Sequence, residues 1–346
     1  MTNEPNTWLL VETLGEEPTV IAEGDKMREF RRISSMYRRA AKPAIDSLIS
    51  ECRATKSTVS RILNKEAGQQ LGAKAVAVPT VGTDGSVFAV QVWFGATAES
   101  PDTPEPVGIW DWELGLEDLP PRLLISPEFL DMYGIDAKYR DRTVYGPSDY
   151  FTRVVRVSDI LDLHNKIDAA TVGYSGDGTY IIRRDSGTLR KLHYAQRCVS
   201  TPAGPRLRGI CRDITDIDDP ARLRAELVDN TLVDTLLNLQ GMFGLIGDVT
   251  YPTAPYILKW LTAHPKGIGH GVGTGQTPGI HPEDLYKVIS YVNDIRNGPV
   301  TGSARIRKAG GGWMKGTFTG QLLDPEVSKT VAVGIVYPDT IDTEDE

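Results

Sequence analysis

The chain has 346 residues, 40% of them hydrophobic and 24% charged, with a formal net charge of −8. At roughly 100–200 residues per domain, this predicts two or three domains with a core each and excludes a wholly disordered chain. No apolar run approaches the roughly 18–20 residues of a membrane span, and the polar start, Met1 to Asn6, excludes a secretory signal or transit peptide.

The first element expected is a strand at Trp8–Glu12. From Lys26 to Lys65 stand eleven Lys or Arg residues against three acids (Glu29, Asp46, Glu51), a local +8 that leaves −16 for the rest of the chain. Two or three helices are predicted between Lys26 and Ala67. Two alternating runs, Ala73–Val81 and Ser86–Phe94, flank Thr83-Asp84-Gly85 and predict a β-hairpin. The stretch Ala96–Pro106, ATAESPDTPEP, lacks apolar periodicity and carries prolines that remove backbone donors, so it reads as a linker. A second boundary follows Asp213, where DITDIDDP closes a strand-like run and Pro220 suits the first turn of a helix. That helix, Ala221–Leu239, places Leu223, Leu227, Val228, Leu232, Leu236 and Leu239 on one apolar face. Five acids in Asp339–Glu346 predict a disordered tail. The expected division is 7–95, a linker at 96–106, 107–217, a connecting helix at 218–239, 240–338, and the tail at 339–346.

The second and third segments share a pattern. Arg183–Leu189, with Gly187, matches Arg307–Trp313, with Gly311, at an offset of 124. Arg208-Gly209-Ile210 matches Val333-Gly334-Ile335, and Ser158-Asp159 matches Glu283-Asp284, both at 125. Turn geometry alone asks for glycine where φ is positive, but three features in one order point to an internal repeat.

In segment 107–217 the opening strand is Gly108-Ile109-Trp110-Asp111-Trp112, followed by Ser126-Pro127-Glu128-Phe129-Leu130 through Tyr133-Gly134-Ile135. A hairpin spans Tyr180–Tyr194, and the segment closes on Arg208-Gly209-Ile210-Cys211-Arg212-Asp213-Ile214-Thr215. These residues resemble a PAS sensor domain, whose final strand ends in an Asp-Ile-Thr junction that launches a signalling helix. Segment 240–338 resembles the same family more loosely, through Gly244–Asp248, the His-Pro-x-Asp of His281-Pro282-Glu283-Asp284 and the hairpin around Gly311. It departs from the pattern in its glycine-rich middle and lacks the closing Asp-Ile-Thr. The strand–helices–hairpin order of segment 7–95 resembles a small GAF domain. Over most of its length the chain resembles uncharacterised mycobacterial proteins that join one GAF and two PAS domains with no effector. The resemblance implies an α+β chain of three modules, each an antiparallel sheet with flanking helices, able to enclose a small ligand.

Other chemistry finds little support. The three cysteines, Cys52, Cys198 and Cys211, form no C-x-x-C pair, which points to a thiol-reduced, cytoplasmic protein. His164, His193, His264, His270 and His281 show no i, i+4 metal spacing. Haem-type PAS domains need a helical histidine, for which His164 is a candidate with no other support. The alternating glycines of Gly267–Gly275 fit neither G-x-G-x-x-G nor a Walker loop and suggest a flexible loop. There is no G-x-S-x-G elbow, and Cys198 and Cys211 fall at strand positions expected to be buried. No catalytic, cofactor-binding or metal residues are therefore assigned.

The competing reading lies in the basic block. Thr55-Lys56-Ser57-Thr58-Val59-Ser60-Arg61-Ile62-Leu63-Asn64 resembles the recognition helix of lactose-repressor-type helix-turn-helix proteins, with Arg53 where that family has its turn glycine. The alternative function is thus a DNA-binding regulator using 26–65; the plainer role of Arg53, Lys56 and Arg61 is a basic surface that docks an acidic partner. The preferred reading is a sensor-domain-only signalling or scaffold protein, with no enzyme activity and no cofactor. Trp110, Trp112, Tyr180, Trp313 and Phe318 are the expected pocket walls, and Asp213 and Thr215 the expected signal junction. No effector motif is visible, and the stretch after Val336-Tyr337-Pro338 is too short for one. Output is therefore expected through a protein partner, with a small-molecule ligand as the second expected partner.

Overall fold

In a computed structural model of the chain, the residues described are 7–37, 41–116, 119–136, 140, 144–217, 228–263, 265, 267, 279–308 and 311–337. They form three antiparallel sheets of six, five and five strands with helices against them, an α+β fold in three modules. No helix among the described residues is long and apolar enough to cross a membrane.

The first module comprises β1 (Leu9–Glu12), β2 (Thr19–Glu23), β3 (Lys26–Arg32), α1 (Ile33–Met36), α2 (Ala41–Thr55), β4 (Val59–Ile62), α3 (Lys65–Leu71), β5 (Lys74–Val81) and β6 (Val87–Gly95). Its strand order is β3-β2-β1-β6-β5-β4. Ile45, Leu48, Ile49 and Cys52 recur at helical spacing along α2 and pack on Val11, Val90 and Val92 of the sheet. All nine residues of β6 are buried, as expected for a strand covered on both faces.

Two parts of the basic block differ from expectation. Lys26–Arg32 is an edge strand rather than a helix, and its exposed charges suit an edge because they discourage pairing with another chain. Thr55–Asn64 is not a recognition helix. Lys56, at φ +53°, ends α2 with its N–H on the Cys52 carbonyl. The chain then pairs Val59 with Ala77 and Ile62 with Lys74, and the Asn64 side-chain oxygen Oδ1 caps α3 by accepting from the Ala67 N–H at 2.9 Å. Valine and isoleucine at its two ends favour this strand, so the stretch 55–64 that carried the DNA-binding alternative is not one helix.

The second module runs β7 (Gly108–Glu113), β8 (Arg122–Ile125), α4 (Pro127–Tyr133), α5 (Pro147–Phe151), α6 (Val157–Asp168), β9 (Ser175–Arg183), β10 (Leu189–Thr201) and β11 (Gly204–Asp213). The Ser126 hydroxyl caps α4, Pro127 occupies its first turn and Gly134 ends it at φ +60°. A short 3-10 turn at Thr215–Ile217 follows. The first half of the expected connecting helix, 218–227, lies outside the described residues, and its second half is α7 (Val228–Leu239).

The third module contains β12 (Phe243–Asp248), β13 (Tyr256–Trp260), α8 (Leu285–Asp294), β14 (Val300–Arg307), β15 (Trp313–Leu322) and β16 (Val331–Val336). Most of the glycine-rich run and the acidic tail lie outside the described residues. The two five-stranded sheets share one order, β8-β7-β11-β10-β9 and β13-β12-β16-β15-β14. The repeat extends to single bonds. Arg184 and Lys308 donate to the carbonyls of Thr188 and Gly312 across the two hairpin turns. Asp159 accepts from the N–H of Ile181 at 3.3 Å, and Asp284 from that of Arg305 at 2.9 Å.

The modules pack as a row of layers. The back of the first sheet (Leu10, Ile21, Phe88) meets the back of the second (Ile109, Ala195, Ile210) in one apolar cluster. The front of the second sheet carries its own helices, and Ile246, Leu258 and Val331 of the third sheet complete that core from the far side. Helix α8 covers the other face of the third sheet through Val288 and Val292.

Candidate functional site

The expected pocket walls of the second module are core. Trp110, Trp112 and Tyr180 are at most 1% exposed. Trp110 meets Phe129, Tyr150 and Tyr194 at ring-centroid distances of 5.8, 6.2 and 6.0 Å. The hydroxyls of Tyr133 and Tyr180 lie 3.0 Å apart, and burial pushes both phenols well above their ordinary values. Trp112 borders a space of about 20 Å³, which suits a single water. In the third module, Trp313 is half-buried between His281 and the Arg307 guanidinium, each 4.7 Å away, while Phe318 packs edge-on against Tyr291.

Polar chemistry gathers instead at the seams between modules. At the first seam Glu12 of β1, fully buried, accepts from Arg197 of β10 at 2.7 and 2.9 Å, and that guanidinium stacks on Phe30 at 4.5 Å. Arg212 of β11 donates to the Gly24 carbonyl at 2.6 Å. Across from Arg212, His193 is 2% exposed with neither ring nitrogen hydrogen-bonded among the described residues, and burial together with Arg212 pushes its pKa down to about 4. The folded chain therefore keeps His193 neutral where the unfolded chain binds a proton. Stability contributed by the neutral ring is complete above about pH 6.5 and falls as pH drops towards 4, by up to about 3 kcal/mol. Denaturant midpoints across this window are expected to fall less steeply in His193→Leu than in the parent; equal slopes would exclude the effect.

Beside this seam a cleft of about 750 Å³ opens between the first two modules. One wall is the end of α2, with Ser50, Arg53 and Lys56; the turn after β5 contributes Asp84 and Ser86; the opposite wall carries Ser200 and Arg208 of the second module. Positive φ at Gly85 (+76°) makes the Asp84 turn tight enough to enter the cleft. Arg208 donates to Asp84 at 2.5 Å and to the Ser86 hydroxyl at 3.2 Å, stacks on Phe88 at 4.9 Å, and lies 3.3 Å from Asp111. Although partial burial acts the other way, the Ser86 bonds and Arg208 hold the Asp84 carboxyl below its ordinary value. Burial raises the Asp111 carboxyl against the pull of Arg208 and of Arg206, the latter 3.5 Å away.

The second seam also carries ionisable groups. His164 of α6 contacts Asp248 of β12 through Nε2 at 2.5 Å, both nearly buried, so the histidine considered for haem is committed to a carboxylate. Lys259 donates to the carbonyls of Thr152 and Val154 at 3.0 and 2.7 Å, and burial, with Arg183 nearby, pushes its pKa down to about 8. Among the described residues no group of three His, Cys, Asp or Glu side chains is placed to hold a metal. The three cysteines are buried, which raises all three thiols.

Of the basic trio, Arg53 and Lys56 come together at the cleft, whereas Arg61 is outside its lining and is committed to Glu51 and the Ser47 hydroxyl. Asp213 and Thr215 tie the exit of the second module back onto its sheet. The Asp213 carboxylate accepts from the Thr215 N–H and hydroxyl at 2.9 and 2.5 Å, while the Thr215 oxygen accepts from the Lys191 N–H at 2.9 Å. Sequence reasoning missed Arg208, Asp84, Glu12 and Arg197. The only hint was charge at inward strand positions, as in Arg208-Gly-Ile-Cys-Arg212.

The family model described as Rv3651-like, N-terminal, matches residues 7–105. An uncharacterised protein from Mycobacterium tuberculosis, known from a crystal structure, aligns over 96% of this chain and 95% of its own at 21% identity with a TM-score of 0.72, a likeness of fold. A sensory box histidine kinase/response regulator from Burkholderia thailandensis aligns over 38% of this chain and 91% of its own at 20% identity and a TM-score of 0.25. An RNA-binding light-oxygen-voltage receptor aligns over 68% and 96% at 12% identity and 0.27. No curated protein matches the sequence.

Proposed function

We propose that the protein is a sensor-type or scaffold protein without catalysis of its own, one GAF-like module followed by two PAS-like modules. It takes up a small ligand or partner at the first cleft and passes the change through its seams to an effector in another protein. Two five-stranded sheets of one order, each with helices on one face, support the PAS part of this reading; the six-stranded sheet with α2 on its face supports the GAF part. The observation that carries the reading is the pairing of charges between modules, Asp84 with Arg208 and Glu12 with Arg197, beside an open cleft. A ligand can rearrange such pairs, whereas a filled aromatic core gives it no entry. Asp213 and Thr215 fix where the chain leaves the second module. Helix α7 then leaves Leu232, Leu236 and Leu239 more than half exposed, a face suited to a partner.

Native mass spectrometry of the full chain from its own host, with hydrogen exchange before and after removal of whatever co-purifies, tests this reading. The expected result is a bound small molecule or partner and altered exchange at 24–25, 82–86 and 206–212. Absence of both a bound species and a reproducible partner, or exchange unchanged on removal of one, would overturn it.

A further inference from the structure

The cleft between the first two modules gathers more positive charge than it balances. Arg53 and Lys56 line it from the first module and Arg208 from the second, while Asp84 is the single carboxylate among its lining residues and is already paired to Arg208. Among the described residues, neither Arg53 nor Lys56 has an ion-pair or hydrogen-bond partner for its side chain. Both lie at the C-terminal end of α2, where cations offset a dipole equivalent to about half an elementary charge. Two full charges exceed that need. In a chain of net charge −8, like charges drawn together across a seam mark a place for an anion.

On the reading of the chain as a sensor, we propose that this cleft binds an organic phosphate ester, its phosphate held by Arg53, Lys56 and Arg208 in competition with the Asp84 carboxylate. Two guanidinium forks and an ammonium match the oxygens of a phosphate dianion. Ser50 and Ser200 add hydroxyls, and Leu14, Val87 and Val199 offer apolar wall to the organic group. About 750 Å³ falls within the range of small-molecule sites. A phosphate on Arg208 displaces Asp84 and frees the 82–86 turn from the second module, which turns occupancy into a change at the seam.

Calorimetric titration of the full chain with glucose 6-phosphate, 3-phosphoglycerate and adenosine 5′-monophosphate, against their phosphate-free parents and inorganic phosphate, tests the proposal. At least one ester is expected to bind saturably, one per chain, with Kd below about 1 mM and tighter than its parent or inorganic phosphate. Arg53→Gln and Lys56→Gln should each weaken binding about tenfold, the effect of losing a charge-assisted hydrogen bond. Asp84→Asn should tighten it severalfold, and Arg61→Gln, outside the cleft, should leave it unchanged. Failure of all three esters to bind overturns the proposal, as does an Arg61→Gln loss equal to that of Lys56→Gln, which would signify diffuse charge attraction. If no ester binds while native mass spectrometry finds another bound species, the phosphate assignment falls and the sensor reading stands. If an ester binds at the cleft without altered exchange at the seam, the phosphate site stands and the sensor reading falls.

Discussion

Arg197→Met is expected to destabilise the chain by about 3–5 kcal/mol, because it leaves the Glu12 carboxylate buried without its counter-charge. Glu12 is wholly buried and would retain only the Thr19 hydroxyl at 2.5 Å and the Leu14 N–H at 3.0 Å. The substitution also removes the stack on Phe30, worth about 0.5–1 kcal/mol or more. Its effect should concentrate at the first seam, with earlier cleavage at the 96–106 connection in limited proteolysis as well as a lower denaturation midpoint. The double variant Glu12→Gln/Arg197→Met should recover much of the loss, since no buried charge remains. A loss below about 1 kcal/mol, or no recovery in the double variant, would show that the pair is not what joins the modules.

Trp110→Ala is expected to cost about 3–5 kcal/mol and to create a space that binds a small aromatic molecule. The ring lies over Gly209, where an added Cβ would stand 2.1 Å from Trp110 Cε2, so sheet and side chain are matched in shape. Phe129, Tyr150 and Tyr194 enclose the rest of it. Indole should raise the melting temperature of the variant and leave the parent unmoved. A comparable shift in the parent would mean that the interior of this module is a ligand pocket after all.

Where an element draws on its own residues, the sequence foretold it. The 83–85 hairpin, the Ser126-Pro127 start of α4 and the paired turns at Gly187 and Gly311 all follow from local turn and cap chemistry. The basic block misled because β4 has four residues and is a strand only by pairing with β5, while Lys56 ends α2 without the glycine that usually announces such a stop. The cleft was half legible. Arg53 and Lys56 stood out in a basic run, but Arg208 arrives from 122 residues beyond Ser86, and nothing local places them on facing walls. Aromatic strand positions such as Trp110 and Tyr180 read alike as core or pocket wall until the opposing residues are known.

In each sheet the last strand of the module lies against the first, β6 beside β1, β11 beside β7 and β16 beside β12. No sheet can therefore close until its module has been synthesised to the end, and the central ladder is the one that spans the most chain. Such non-local pairing slows folding, because loop-closure entropy must be overcome before the pairing is rewarded. The effect compounds along the row. Val331, on the strand that closes the third sheet, also completes the core of the second module, so that core stays open on one side until β16 is in place. A nascent chain halted before β16 would present this apolar face to solvent, making it a ready substrate for chaperones.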